Sequence, residues 1–159
     1  MCIRDRFDGS DVYVSRALRI GWSPDSDGTY IVNGGTLQAR QSISIAQSAT
    51  GRGSLQILGS TGSVTTNTLL CGEGDAELIL ETDENGLTPL TVNNRAALGG
   101  RLIVRIHDSV VANEITLIDF DATATRTGGF REVVIEAPSG RPYAAVSYTH
   151  LTLPTILRV

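Results

Sequence analysis

A few residues in this chain are of types that do chemistry, and their spacing decides what they can do. His107-Asp108-Ser109 places a base, a carboxylate and a hydroxyl side by side, the components of nucleophilic hydrolysis. Neighbours on an extended chain point to opposite sides, so three consecutive residues do not form a nucleophile–base–orienter relay, and no Gly-x-Ser-x-Gly elbow occurs elsewhere. Asp119 and Asp121 stand two apart and would share a face if a strand ran through them, the arrangement of paired carboxylates in glycoside chemistry. Acids at a strand end are more commonly just solvated. Trp22 beside a turn offers a stacking platform for a sugar ring, although a lone Trp there more commonly packs over a sheet edge. Asp83-Glu84-Asn85-Gly86 is the most acidic turn, yet it lacks the alternating Asp and closing Glu of a calcium loop. Gly51-Arg52-Gly53 continues to Gln56 where a dinucleotide fingerprint needs Gly. No catalytic, cofactor-binding or metal residue is therefore assigned, and no cofactor is expected.

The elements that would hold these residues recur at a nearly constant interval. Tyr30, Leu55, Leu78 and Leu102 each open an apolar-alternating run, at successive spacings of 25, 23 and 24 residues. In Tyr30-Ile31-Val32, Leu55-Gln56-Ile57-Leu58, Leu78-Ile79-Leu80 and Leu102-Ile103-Val104-Arg105-Ile106, residues i and i+2 share a face. Between them a second set alternates in the same way: Ile43-Ser44-Ile45, Asn67-Thr68-Leu69 and Leu90-Thr91-Val92. Gly34-Gly35, Gly51, Gly53, Gly59, Gly62, Gly72, Gly74, Asn85-Gly86 and Gly99-Gly100 supply the turns. A unit of this length cannot cover its own apolar face and must stack on copies of itself.

These features predict an all-β protein, a right-handed parallel β-helix with rungs of about 24 residues. An antiparallel sandwich also shows short strands and Gly turns; the longer period, kept also by Gly21, Ala46 and Gly72, favours the solenoid. Residues 7–106 are expected to form the rungs, with Val12-Tyr13-Val14 and Leu18-Arg19-Ile20 left from an earlier one. Residues 107–145 lose the interval and are expected to form a C-terminal β cap.

Both ends of the chain have a different character. Residues 1–6, Met1-Cys2-Ile3-Arg4-Asp5-Arg6, resemble a translated transposon mosaic-end sequencing adapter. Residues 146–159, beginning Val146-Ser147-Tyr148-Thr149-His150, resemble the reverse complement of that adapter. Both segments are expected to be artefactual flanks on a piece of a longer protein.

Without them one cysteine is left, Cys71, which suits a small buried hydrophobe and excludes an intrachain disulfide or a Cys-based metal site. The whole chain carries 13 basic and 17 acidic residues, every basic one an arginine. Removing Arg4, Arg6, Arg158 and Asp5 leaves it acidic without a basic stripe, which argues against nucleic acid. The pairs Arg16 with Arg19 and Arg101 with Arg105 are expected to dress solvent faces. No run approaches the roughly 20 apolar residues of a membrane span.

Several stretches carry a family resemblance: Gly28-Thr29-Tyr30-Ile31-Val32-Asn33-Gly34-Gly35-Thr36-Leu37, Gly53-Ser54-Leu55-Gln56-Ile57-Leu58-Gly59, Pro89-Leu90-Thr91-Val92 with Ala97-Leu98-Gly99-Gly100-Arg101-Leu102-Ile103-Val104, and then Ile115-Thr116-Leu117-Ile118-Asp119 with Gly129-Phe130. They resemble the repeat region of autotransporter-like and PEP-CTERM-sorted bacterial surface proteins, and the likeness runs over residues 28–145. It implies a secreted or surface-displayed β-helix with a structural or adhesive role, meeting surface glycans or neighbouring copies of itself. The chain departs from the group in having neither a sorting tail nor an outer-membrane barrel. Two other expectations stand beside it: a polysaccharide-active β-helix enzyme, lyase or hydrolase, and a carbohydrate-binding β module using Trp22.

Overall fold

A computed structural model describes residues 2–110, 114–138, 146–147 and 150–154. The interval predicted from the sequence is the interval of the stack. Tyr30 pairs with Leu55, Leu55 with Leu78 and Leu78 with Leu102, each in a parallel ladder. The described chain is all strand and turn, a parallel β-solenoid of about four turns.

The strands in order are β1 (Cys2–Asp8), β2 (Val12–Val14), β3 (Ala17–Ile20), β4 (Asp27–Ile45), β5 (Arg52–Cys71), β6 (Asp75–Glu81), β7 (Leu90–Leu98), β8 (Arg101–Arg105), β9 (Glu114–Phe120), β10 (Thr125–Gly128), β11 (Glu132–Glu136), β12 (Val146–Ser147) and β13 (His150–Pro154). They form three faces. The first face stacks β1, the start of β4, the start of β5, β6, β8 and β11. The second stacks β2, the middle of β4 and of β5, the start of β7, and β9. The third stacks β3, the ends of β4, β5 and β7, and β10.

One turn thus has three strands rather than two. The intermediate set read from the sequence joins two faces: Ile43 and Leu69 lie on the third, Leu90 and Val92 on the second. The corners between faces are so tight that β4 and β5 run through them as single strands. Gly35 shows why glycine is needed there. Its φ is +71°, and a Cβ would lie 2.2 Å from the Ser10 carbonyl oxygen of the preceding coil. The recurrent Gly21, Ala46 and Gly72 also form a corner, in which Ala46 N–H donates to the Ile20 carbonyl and Gly72 N–H to that of Ile45.

Inward side chains form continuous aliphatic columns. Leu55, Leu78, Leu80 and Leu102 fill the first face, Leu37, Val64 and Leu90 the second, Ile43, Ile45 and Leu69 the third, all buried. Thr66 points into this core and satisfies its hydroxyl on the Thr68 carbonyl, 3.1 Å away.

The segment expected to be a cap instead extends the stack by another parallel turn. Val133 pairs with Leu102, Ile118 with Leu90, and Thr127 with Ala97. Its interval lengthens to 31 residues between Arg105 and Glu136, because extra residues enter at corners. One insertion follows Ile106, a second is the turn after Phe120, where Asp121 caps Thr123, and a third, of a single residue, lies between Gly128 and Glu132. Residues 111–113 and 139–145 lie outside the described residues.

The two adapter-like ends also contain strands. β1 pairs parallel with Asp27–Asn33 of β4, and β13 pairs antiparallel with β9 and β12. Edge pairing uses main-chain groups whatever the side chains, so these pairings carry no information about the origin of the segments.

Candidate functional site

The outer surface of the first face holds the densest array of charged side chains. Strand alternation turns Glu77 and Glu81 of β6, Arg101 and Arg105 of β8, and Glu132 and Glu136 of β11 outward. Coil stacking then sets them in columns. Arg101 stands between Glu77 and Glu132: its Nη1 donates to Glu77 Oε1 at 2.9 Å, and its Nε lies 2.8 Å from Glu132 Oε2, a close ion contact without hydrogen-bond geometry. Arg105 stands between Glu81 and Glu136, with Nη1 3.6 Å from Glu81 Oε2 and Nε donating to Glu136 Oε2 at 2.9 Å. The Glu136 hydrogen bond raises the Arg105 pKa further, which leaves its charge fixed. Between the two ladders Ile79 and Ile103 are buried although they point outward.

Beside these ladders runs a groove of about 410 Å³, lined by Asp27, Arg52, Ser54, Asp75, Glu77, Arg101 and Arg131 among others. Arg52 and Asp75 form an exposed ion pair across adjacent coils at 3.4 Å. Arg131 reaches across two coils and donates to the Gly74 carbonyl at 2.9 Å. Chemically this is an alternating grid in which most charges are already partnered by the next coil. Exposed pairs of this kind contribute roughly 0–1 kcal/mol each and weaken in salt. Their larger effect is on register, because a coil slipped by one position would turn each arginine to the other face, away from its glutamates, with Arg101 set opposite Ala76 or Leu78.

The residues singled out by sequence do not converge. His107 Nδ1 accepts the Ser109 main-chain N–H at 3.2 Å, a local turn that makes no use of the serine hydroxyl. Asp119 is exposed on the second face, while Asp121 Oδ1 accepts the Thr123 hydroxyl at 2.7 Å and its N–H at 2.9 Å. Those bonds hold the Asp121 carboxyl below its usual value. The Trp22 ring carries the Arg19 guanidinium 4.4 Å from its centroid, so one ring face is occupied; a 450 Å³ groove beside it is lined by Leu18, Asp25 and Tyr30 among others.

In the acidic turn, Asp83 Oδ2 accepts both the N–H and the hydroxyl of Ser60, each at 2.8 Å, and Oδ1 accepts the Asn85 N–H at 2.8 Å. The Ser60 N–H foremost lowers its pKa, and the carboxylate staples two coils together. Cys71 is buried, and desolvation pushes its thiol up to about 12. Among the described residues no three His, Cys, Asp or Glu side chains gather where a metal ion could be held.

Arg101 and Arg105, expected as a pair dressing a solvent face, do lie on the outer surface, and what that expectation lacks is their glutamate partners in the neighbouring coils. The signal was present: once Leu78 and Leu102 are aligned, Glu77 falls beside Arg101 and Glu81 beside Arg105. No family model, curated protein or solved structure matches the chain. No helix among the described residues is long and apolar enough to cross a membrane.

Proposed function

We propose that this chain is a non-enzymatic part of a secreted or surface-displayed bacterial β-solenoid, a stalk or adhesive surface of the autotransporter-like or PEP-CTERM-sorted kind. The observation that carries the reading is the use of the outward charges. Glu77, Glu81, Glu132 and Glu136 are spent on Arg101 and Arg105 of the coil between them, which ties coil to coil. A rigid rod with a repeating flat surface suits display of glycan-binding or self-associating faces. The test is incubation of the purified chain with neutral and uronate polysaccharides, following reducing ends and unsaturated products, beside a glycan-binding screen. The reading expects no turnover, and turnover abolished by Glu77→Gln would sink it.

One observation favours the polysaccharide-active reading. The groove of the first face sets Asp27, Asp75 and Glu77 among Arg52, Arg101 and Arg131, a combination that suits an anionic sugar chain. The same assay separates the two.

A further inference from the structure

The last coil offers three strand edges, and they are unlike one another. On the second face β9 is already paired by β13. On the third face β10, Thr-Arg-Thr-Gly, is exposed along its length and carries no apolar side chain. On the first face β11 pairs with β8 alone among the described residues. Its inward Val133 is 39% exposed, where Leu102 beneath it is 0% exposed. Its outward Glu132 and Glu136 keep 56% and 55% of their side-chain surface despite their arginine partners.

We propose that this edge of β11 is a docking site for an extended strand of another polypeptide, carrying arginine or lysine at two positions four apart with aliphatic residues between. The preceding coils specify that chemistry. Both outward columns alternate in sign, Glu77–Arg101–Glu132 and Glu81–Arg105–Glu136, so the next position in each takes a cation. An arriving strand completes the ladder on main-chain groups that have no partner among the described residues, buries Val133 and Ile135, and sets its cations against two carboxylates. Arg101-Leu102-Ile103-Val104-Arg105, on the other side of β11, shows the pattern such a strand needs. A second copy of this chain fits less well. Its leading first-face strand, β1, would bring Arg4 into the column of Glu132, but Asp8 into that of Glu136 and Asp5 into the apolar column of Val133, so it supplies one cation where two are called for and places a carboxylate where an aliphatic residue belongs.

The test is fluorescence anisotropy of a labelled peptide with the sequence of residues 99–106, titrated with the full chain. Saturable binding is expected, about tenfold weaker when both peptide arginines are replaced by glutamate, and high salt should weaken binding of the arginine peptide. The protein variant Glu132→Gln/Glu136→Gln should reduce binding to a similar degree, with thermal melting reporting whether it stays folded. If it does not, the peptide charge reversal alone decides. Absence of saturable binding, or equal affinity for both peptides, overturns the proposal. So does self-association of the chain in sedimentation that excludes the peptide, which would make a second copy the occupant.

Discussion

Arg105 Nε donates to Glu136 Oε2 at 2.9 Å across 31 residues of chain, a longer reach than any earlier coil of this face requires. The pair shows that the solenoid register survives an enlarged corner, since the residues stay aligned while the connection between them grows. Glu136→Gln should lower stability by no more than about 1 kcal/mol, as expected for an exposed pair. The loss should shrink in high salt, measured by urea denaturation at two ionic strengths.

The aliphatic columns hold most of the stability, and their ends hold less. Leu78→Ala removes a fully buried side chain from the middle of the stack and should cost roughly 2–5 kcal/mol. Val133→Ala, at the exposed end of the same column, should cost under about 1 kcal/mol. Chemical denaturation of the two variants gives the comparison.

Glycine corners differ in what they tolerate. Gly9 and Gly35 both have positive φ, but a Cβ at Gly9 meets nothing within 4 Å whereas one at Gly35 meets the Ser10 carbonyl. Gly9→Ala should cost about 1 kcal/mol for the backbone conformation. Gly35→Ala should cost clearly more, read as a lower melting temperature.

The Asp83 carboxylate contributes stability through the ionised form that Ser60 and Asn85 bond. Its folded pKa is lowered from 3.8, so the contribution is complete above the unfolded value and is lost as pH falls through the lower, folded one. Acid titration should show a loss of stability below about pH 4. Asp83→Asn should flatten that part of the curve and reduce stability at neutral pH by about 1 kcal/mol.

Cys71 should be inert in the folded protein. In a Cys2→Ser background at pH 8, a thiol reagent should label the native chain negligibly and the urea-unfolded chain promptly, since burial holds the thiol near 12. Prompt labelling of the native chain would mean that the third face opens.

The first face was legible in the sequence because its inward positions are large and apolar in each coil from Tyr30 onward, as in Leu78-Ile79-Leu80. The second face was not. Thr36-Leu37-Gln38-Ala39 and Ser63-Val64-Thr65-Thr66 each place one sizeable apolar residue inward, so the alternation is faint and the two intermediate strands of a turn merged into one. The last coil was lost for another reason. Periodicity in sequence assumes constant corners, and the insertions after Ile106 and Phe120 break the count while main-chain pairing keeps the stack. The arginine ladders depend on alignment between coils, which no local pattern around Arg101 or Arg105 contains.

The account stands or falls on coil stacking, and backbone amide nuclear Overhauser contacts measure it most directly. It predicts parallel cross-strand contacts linking Leu55 with Leu78 and Leu78 with Leu102, with matching contacts along each ladder. Antiparallel Hα–Hα contacts joining those strands to other partners, as a sandwich would give, would contradict it.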